Sequence, residues 1–200
     1  MNKILVAYTT NAGSTEDVAR AIAEELGKDG AQVEVRRLEE VTDLEPYAAA
    51  AVGGPMILGW HRKAVEFLKK NQAALSQKKV ALFMTAMALT DTGERQFEGI
   101  PLSLDPGLAL APKNGSRLSL KENYARASSY LSPVLKAAPK VRPVSIAFFG
   151  GKLQMYTLNI FQALFVMLVV QAKPGDRRNW PFIREWAARL RVELQEKETA

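Results

Sequence analysis

The stretch KILVAYTTNAGSTEDVARAIAEEL, residues 3 to 26, does most to narrow what this chain can fold into. Ile4, Leu5, Val6 and Ala7 form an unbroken apolar run, the pattern of a strand covered on both faces. From Glu16 to Lys28 the period changes: Val18, Ala19, Ile22 and Leu26 fall on one helical face. Strand, short loop and helix in that order make an α/β unit. Its loop turns backbone N–H groups and the positive end of the helix dipole toward whatever sits above. Such a loop is built for an anion.

Two common anion loops do not match. A nucleoside-triphosphate loop needs Gly-Lys-Ser/Thr, and no lysine lies between Lys3 and Lys28. A dinucleotide fingerprint needs three spaced glycines, and this loop has Gly13 alone. What remains is an uncharged loop with the hydroxyls of Thr9, Thr10, Ser14 and Thr15, suited to a compact phosphate monoester. The competing reading is an ordinary capping box, Ser14 with Asp17 three residues later.

The same alternation continues along the chain. Strands are expected at 3–8, 32–37, 48–53, 79–84 and 143–149, and helices at 14–28, 62–74, 121–136, 154–171 and 180–197. This predicts one α/β domain over residues 1–200, a doubly wound parallel sheet with helices on both faces. AAAAVGG, the third strand, is small and apolar throughout, as a central strand should be. Residues 90–120 hold four glycines and three prolines with little periodicity. They read as an insertion after the fourth strand, at the carboxyl edge where open α/β sheets bind ligands.

Charge and composition exclude several chemistries. The chain has no cysteine and one histidine, which rules out thiolate catalysis and argues against a His-based metal site or proton relay. No charged-then-apolar leader opens the sequence, so a cytoplasmic location is expected. The net charge of +6 lies entirely within residues 112–143, where Lys113, Arg117, Lys121, Arg126, Lys136, Lys140 and Arg142 face one acid, Glu122. A block of this kind suits an anionic partner or is simply a solvated face; nothing in it points to nucleic acid. Residues 153–172 carry no charge. Gln154, Thr157, Asn159 and Gln162 make the run's first half too polar for a confident membrane span. Its surplus of apolar residues suits lipid, quinone or another subunit, or deeper burial.

At this point the residues resemble a known family. In YTTNAGSTEDVA, Tyr8, Thr10, Gly13, Thr15 and Ala19 fall where flavodoxins carry the aromatic, the hydroxyls, the glycine and the alanine of their phosphate loop. The resemblance implies a flavodoxin-like five-stranded sheet of order 2-1-3-4-5, with FMN bound at the carboxyl ends of strands one, three and four. Thr9, Thr10, Asn11, Ala12, Gly13, Ser14 and Thr15 would then hold the ribityl phosphate. VGGPMILGWHRKAVEFLKKN, ALFMTAMAL and GDRRNWPFIREWAARL are more closely similar to the menaquinone-dependent protoporphyrinogen oxidase branch of heme biosynthesis. That likeness implies an isoalloxazine ring between Gly54–His61 and Thr85–Asp91. Contacts would come from Pro55, Met56, Ile57, Leu58, Gly59 and Trp60 on one side, and from Thr85, Ala86, Met87 and Ala88 on the other. The Leu58–Gly59 peptide would lie near flavin N5. Trp60 alternatively packs at a strand–helix turn. His61, a weak catalytic candidate, alternatively just opens a helix. The implied activity is tetrapyrrole oxidation with a quinone acceptor at the inner face of the membrane. A flavodoxin-type electron carrier serving a redox partner protein and an NAD(P)H:quinone reductase are the rival readings.

Overall fold

A computed structural model describes residues 3–57, 59–114, 117–153 and 175–195. Five strands follow the expected course: β1 (Lys3–Tyr8), β2 (Val33–Arg37), β3 (Tyr47–Pro55), β4 (Lys79–Ala86) and β9 (Pro143–Gly150). They lie side by side in the order β2-β1-β3-β4-β9, all parallel, which is the expected 2-1-3-4-5 arrangement.

Alternation along each strand divides the core into two layers. Leu5, Ala50, Val52, Leu82, Met84, Ile146 and Phe148 face α2 (Arg62–Leu75) and α4 (Ala127–Ala137). On the other side Ile4, Val6, Ala49, Ala51, Phe83, Ala147 and Phe149 face α1 (Ser14–Leu26) and α5 (Trp180–Gln195). The small residues of β3 have a steric cause. A Cβ at Gly53 would sit 2.0 Å from the Phe83 ring, so that ring fills space only a glycine leaves open.

The sheet is wider than the five strands expected from sequence. β7 (Ile100–Leu104) pairs parallel with β9, and β6 (Gln96–Phe97) closes on β7 as an antiparallel hairpin, giving seven strands. Its turn, Glu98–Gly99, has φ of 50° and 82°, the positive values a two-residue hairpin favours. Two shorter pieces, β5 (Leu89–Thr90) and β8 (Ala109–Leu110), pair beyond the carboxyl end of β4. The single helix expected at 121–136 is two: α3 (Leu120–Tyr124) and α4. The break falls at Arg126, in extended conformation, where the Glu94 carboxylate accepts from Ser128 N (2.9 Å) and Ser128 Oγ (2.7 Å). A tertiary carboxylate thus supplies the N-terminus of α4 and overrides a continuous helical pattern.

β10 (Lys152–Leu153) and β11 (Gly175–Asp176) stand on either side of the apolar run in sequence and pair antiparallel, with Leu153 opposite Gly175. Residues 154–174, and with them the helix expected at 154–171, lie outside the described residues. Among the described residues no helix is long and apolar enough to cross a membrane.

Candidate functional site at the carboxyl edge of the sheet

Three loops converge where β1, β3 and β4 end. The first joins β1 to α1. Gly13 is the N-cap of α1, with φ +83° and no side-chain cap, so the Ser14–Asp17 capping box, the competing reading, is absent. Gly13 N–H donates to Thr10 Oγ1 at 2.9 Å, while the N–H groups of Glu16 and Asp17 bond to the Gly13 carbonyl. The N–H groups of Ser14 and Thr15 at the helix start therefore have no side-chain acceptor. Acids in this turn are matched by cations: Glu16 pairs with Arg20 (2.8 Å) and Arg37 (3.9 Å), Asp17 with Arg178 (2.6 Å). Hydrogen bonding to Arg20 holds the Glu16 carboxyl below its usual range. The hydroxyls divide unevenly. Thr9 and Thr15 are buried, and Thr15 Oγ1 bonds Thr85 Oγ1 at 2.9 Å, tying this loop to β4. Thr10, Asn11, Ala12, Gly13 and Ser14 retain exposed surface. The accessible part of the loop is thus mainly backbone amide, with Thr10 and Ser14 as its hydroxyls.

The second loop follows β3. Met56 N donates to Thr85 O (2.8 Å), Ile57 N to Gly59 O (3.0 Å) and His61 N to Pro55 O (3.0 Å), folding residues 55–61 into a tight reversal. Gly59, at φ +134°, permits the turn, and Ile57 stands 48% exposed at the tip. Leu58, and so the Leu58–Gly59 peptide, lies outside the described residues. Trp60 does not stand open toward the slot. It is 6% exposed, donates Nε1–H to Gly54 O at 3.2 Å and belongs to the α2 side of the core. The indole thus packs at the strand–helix turn, with one edge bonded to the end of β3. Replacing it with alanine is expected to cost roughly 3–5 kcal/mol of stability, measured by urea unfolding.

His61 caps α2: its Nδ1 accepts from Lys63 N at 3.3 Å. The other nitrogen, Nε2, lies 3.1 Å from Asn11 Oδ1. The neutral Nε2–H tautomer satisfies both bonds and joins the first loop to the second. Burial, followed by the nearby Lys63 charge, lowers the His61 pKa. The unfolded chain thus binds the proton more readily. The stability this group contributes is complete above the ordinary histidine value and is lost as pH falls through the lowered one. In an NMR titration the sole imidazole should titrate below about 6.5, with unfolding free energy declining over the same range.

The third loop follows β4 and turns its carbonyls inward. Thr85 O accepts from Met56 N, Ala86 O from Gly151 N (2.7 Å) and Met87 O from Arg177 Nη1 (2.7 Å). Peptide planarity sets each N–H opposite its carbonyl. The Met87 N–H, in the Ala86–Met87 peptide, therefore points away from β9, and Ala88 is exposed beside it.

Sequence reasoning missed the strap that supports this loop. Residues 175–179 cross the ends of β9 and β4. Arg177 N donates to Gly151 O (3.0 Å) and Asn179 Nδ2 to Asp105 Oδ1 (3.2 Å). Asp105, fully buried, also accepts from Gly150 N (3.2 Å) and Gly107 N (2.9 Å). GDRRN was legible as a polar cluster, but nothing in it marked the strand ends it would cross.

The basic block is split by the fold. Lys136, Lys140 and Arg142 lie at or after the end of α4 and just before β9, at the amino edge of the sheet. Lys113, Arg117 and Lys121 follow β8, which pairs beside the third loop, while Arg126 pairs with Glu94 (3.6 Å). The block is not one surface.

The chain belongs to the flavodoxin domain family, whose sequence profile matches residues 5–179. Its fold is similar to that of a flavodoxin from the domain Archaea (13% identity, TM-score 0.54, covering 97% of this chain and 99% of that one). It is also similar to the Streptococcus pneumonia TIGR4 flavodoxin (13% identity, TM-score 0.50, covering 96% and 99%). No curated protein matches the sequence significantly. The family's cofactor is FMN. The edge just described fits that group: an amide-rich helix start with balanced neighbouring charge for a phosphate, and a slot between the second and third loops for a heterocycle.

Proposed function

We propose that this protein is an FMN-dependent oxidoreductase that takes electrons from a tetrapyrrole of the protoporphyrinogen type and passes them to a quinone. Flavin-based electron transfer or oxidoreduction is the activity of its family. The observation that carries the assignment is the meeting of loops 9–15, 55–61 and 85–91 at one sheet edge. Ser14 and Thr15 N–H, with the Thr10 and Ser14 hydroxyls, would hold the phosphate. Pro55, Met56, Ile57 and Gly59 would border the ring opposite Thr85, Ala86, Met87 and Ala88. When bound, FMN supplies the electron-accepting chemistry. The chain grips it, excludes water from one side and sets its electrostatics.

Substrate and acceptor are argued from the surroundings. Lys113, Arg117 and Lys121 follow the β5–β8 pair, and Leu110, Leu120 and Tyr124 beside them are exposed by 52%, 91% and 50%. A flat apolar ring bearing carboxylates matches that mixture of cation and apolar surface. Leu153, which opens the uncharged run, pairs with Gly175, three residues past its end, at the same edge, which suits an acceptor delivered from lipid and a reversible contact with the membrane surface. Lys136, Lys140 and Arg142 have no part in substrate binding on this reading.

The test is anaerobic. Protoporphyrinogen added to the FMN-loaded protein should bleach the flavin absorbance as porphyrin fluorescence grows, and menaquinone should restore the flavin. An unreduced flavin would overturn the tetrapyrrole assignment. Reduction by a redox protein instead would support the carrier reading.

A further inference from the structure

Two adjacent arginines in the strap have different electrical surroundings. Arg178 is neutralised by Asp176 (2.5 Å) and Asp17 (2.6 Å), with its side chain 7% exposed, and it stacks on Trp180 at 4.7 Å. Arg177, half-buried, spends a guanidinium N–H on a neutral acceptor, the Met87 carbonyl. Among the described residues it forms no pair with a carboxylate. Two nearby carboxylates are engaged elsewhere: Asp105 accepts three neutral N–H groups, which leave its negative charge beside the strap, and Asp91 pairs with Arg95 at 3.1 Å. Lys152, in β10, lies across from Asp176.

We infer that Arg177 sets the redox level of the bound flavin. Its charge, in no ion pair among the described residues and tied to the Met87 carbonyl, favours the reduced, negatively charged form of the ring over the neutral oxidised form. This rests on the FMN reading and on loop 85–91 bordering the ring. Oxidised flavin that gains two electrons and one proton carries a net negative charge on its pyrimidine edge. A fixed cation behind loop 85–91 stabilises that charge in a site poor in water. Holding Met87 O also keeps the Met87–Ala88 peptide in place, so Arg177 acts as a positioning residue for the loop as well. Such a site suits a two-electron oxidant more than a strongly reducing carrier.

The experiment is a redox titration of FMN-loaded wild type, R177Q and R177K with dithionite against a reference dye, alongside FMN affinity and thermal unfolding. R177Q keeps a side-chain amide for Met87 O but loses the charge; R177K keeps the charge. R177Q should lower the ratio of reduced to oxidised FMN affinity about tenfold, a fall of about 30 mV for a two-electron couple. R177K should stay close to wild type, and oxidised FMN should bind all three similarly. Should R177Q fail to fold, R177M, which keeps an apolar stem, carries the same expectation as R177Q. An unchanged potential in the neutral variant, or an equal fall in R177K, would overturn the inference. A wild type that binds no FMN would instead overturn the cofactor reading on which it rests.

Discussion

Gly13→Asp is expected to weaken FMN binding by at least roughly a hundredfold while leaving the protein folded. A Cβ at Gly13 would meet nothing within 4 Å, so the substitution finds room. The φ of +83° is a conformation that aspartate tolerates better than most residues. What changes is charge. The new carboxylate would stand at the N-terminus of α1, where the unpaired N–H groups of Ser14 and Thr15 would otherwise meet the phosphate. At roughly 5 Å and an effective dielectric constant of about 20, each pair of like charges costs about 3 kcal/mol. That is on the order of a hundredfold in affinity, and more against a doubly charged phosphate. Gly13→Ala separates the contributions. Its backbone strain, roughly 1–2 kcal/mol, acts on the folded protein with or without ligand, so affinity should fall far less than in the aspartate variant. Fluorescence titration of flavin into the apoprotein reads both. Equal losses in the two variants would mean that shape, not charge, governs this loop.

Gly150→Ala is expected to give the largest loss of stability among small substitutions near the site. A Cβ there would lie 1.9 Å from the Arg177 carbonyl oxygen and 2.6 Å from its carbon. These are backbone atoms, so relief requires the strap to move. Moving it strains the Arg177 N–Gly151 O, Arg177 Nη1–Met87 O and Asn179–Asp105 bonds together. Overpacking alone costs about 1–3 kcal/mol, and the coupled bonds bring the expected total to at least about 3 kcal/mol. For a chain of this size that lowers the unfolding midpoint by roughly 6–12 °C. The control is Gly27→Ala at the end of α1, where φ is −82° and the nearest contact is 3.4 Å. Its effect should stay within about 1 kcal/mol in either direction. FMN affinity should fall in Gly150→Ala and not in the control, because only the first displaces the support of the third loop.

The contrast between those two glycines marks what the sequence could reveal. Periodicity showed the buried strands and amphipathic helices because burial on two faces or one stripe leaves a local signature. Ile4–Ala7 and Val18–Leu26 are both within a few residues of where they were expected. β7 was missed although Ile100, Leu102 and Leu104 alternate. Pro101 and the glycines and prolines around it read as loop, and pairing with β9 is a long-range event. The split of α3 from α4 depends on Glu94, some thirty residues away in the chain. In the site, the loops were legible from their position after strands, but the fate of individual groups was not. Thr9 and Thr15 are buried, Trp60 packs inward, and His61 reaches Asn11, each because of neighbours distant in sequence. The basic block shows the same limit. One run of charge becomes two surfaces because α4 runs back across the sheet from the carboxyl edge, where Lys113, Arg117 and Lys121 lie, to the amino edge, where Lys136, Lys140 and Arg142 precede β9.

The central claim is that loop 9–15 grips the terminal phosphate of FMN. The most direct measurement is calorimetric titration of the apoprotein with FMN and with riboflavin, which has the same ring and ribityl chain but no phosphate. The account expects one FMN per chain and riboflavin weaker by at least roughly a hundredfold, the scale of a few charge-assisted hydrogen bonds. Equal affinities would mean that the phosphate makes no contact that matters, and the assignment of loop 9–15 would be contradicted.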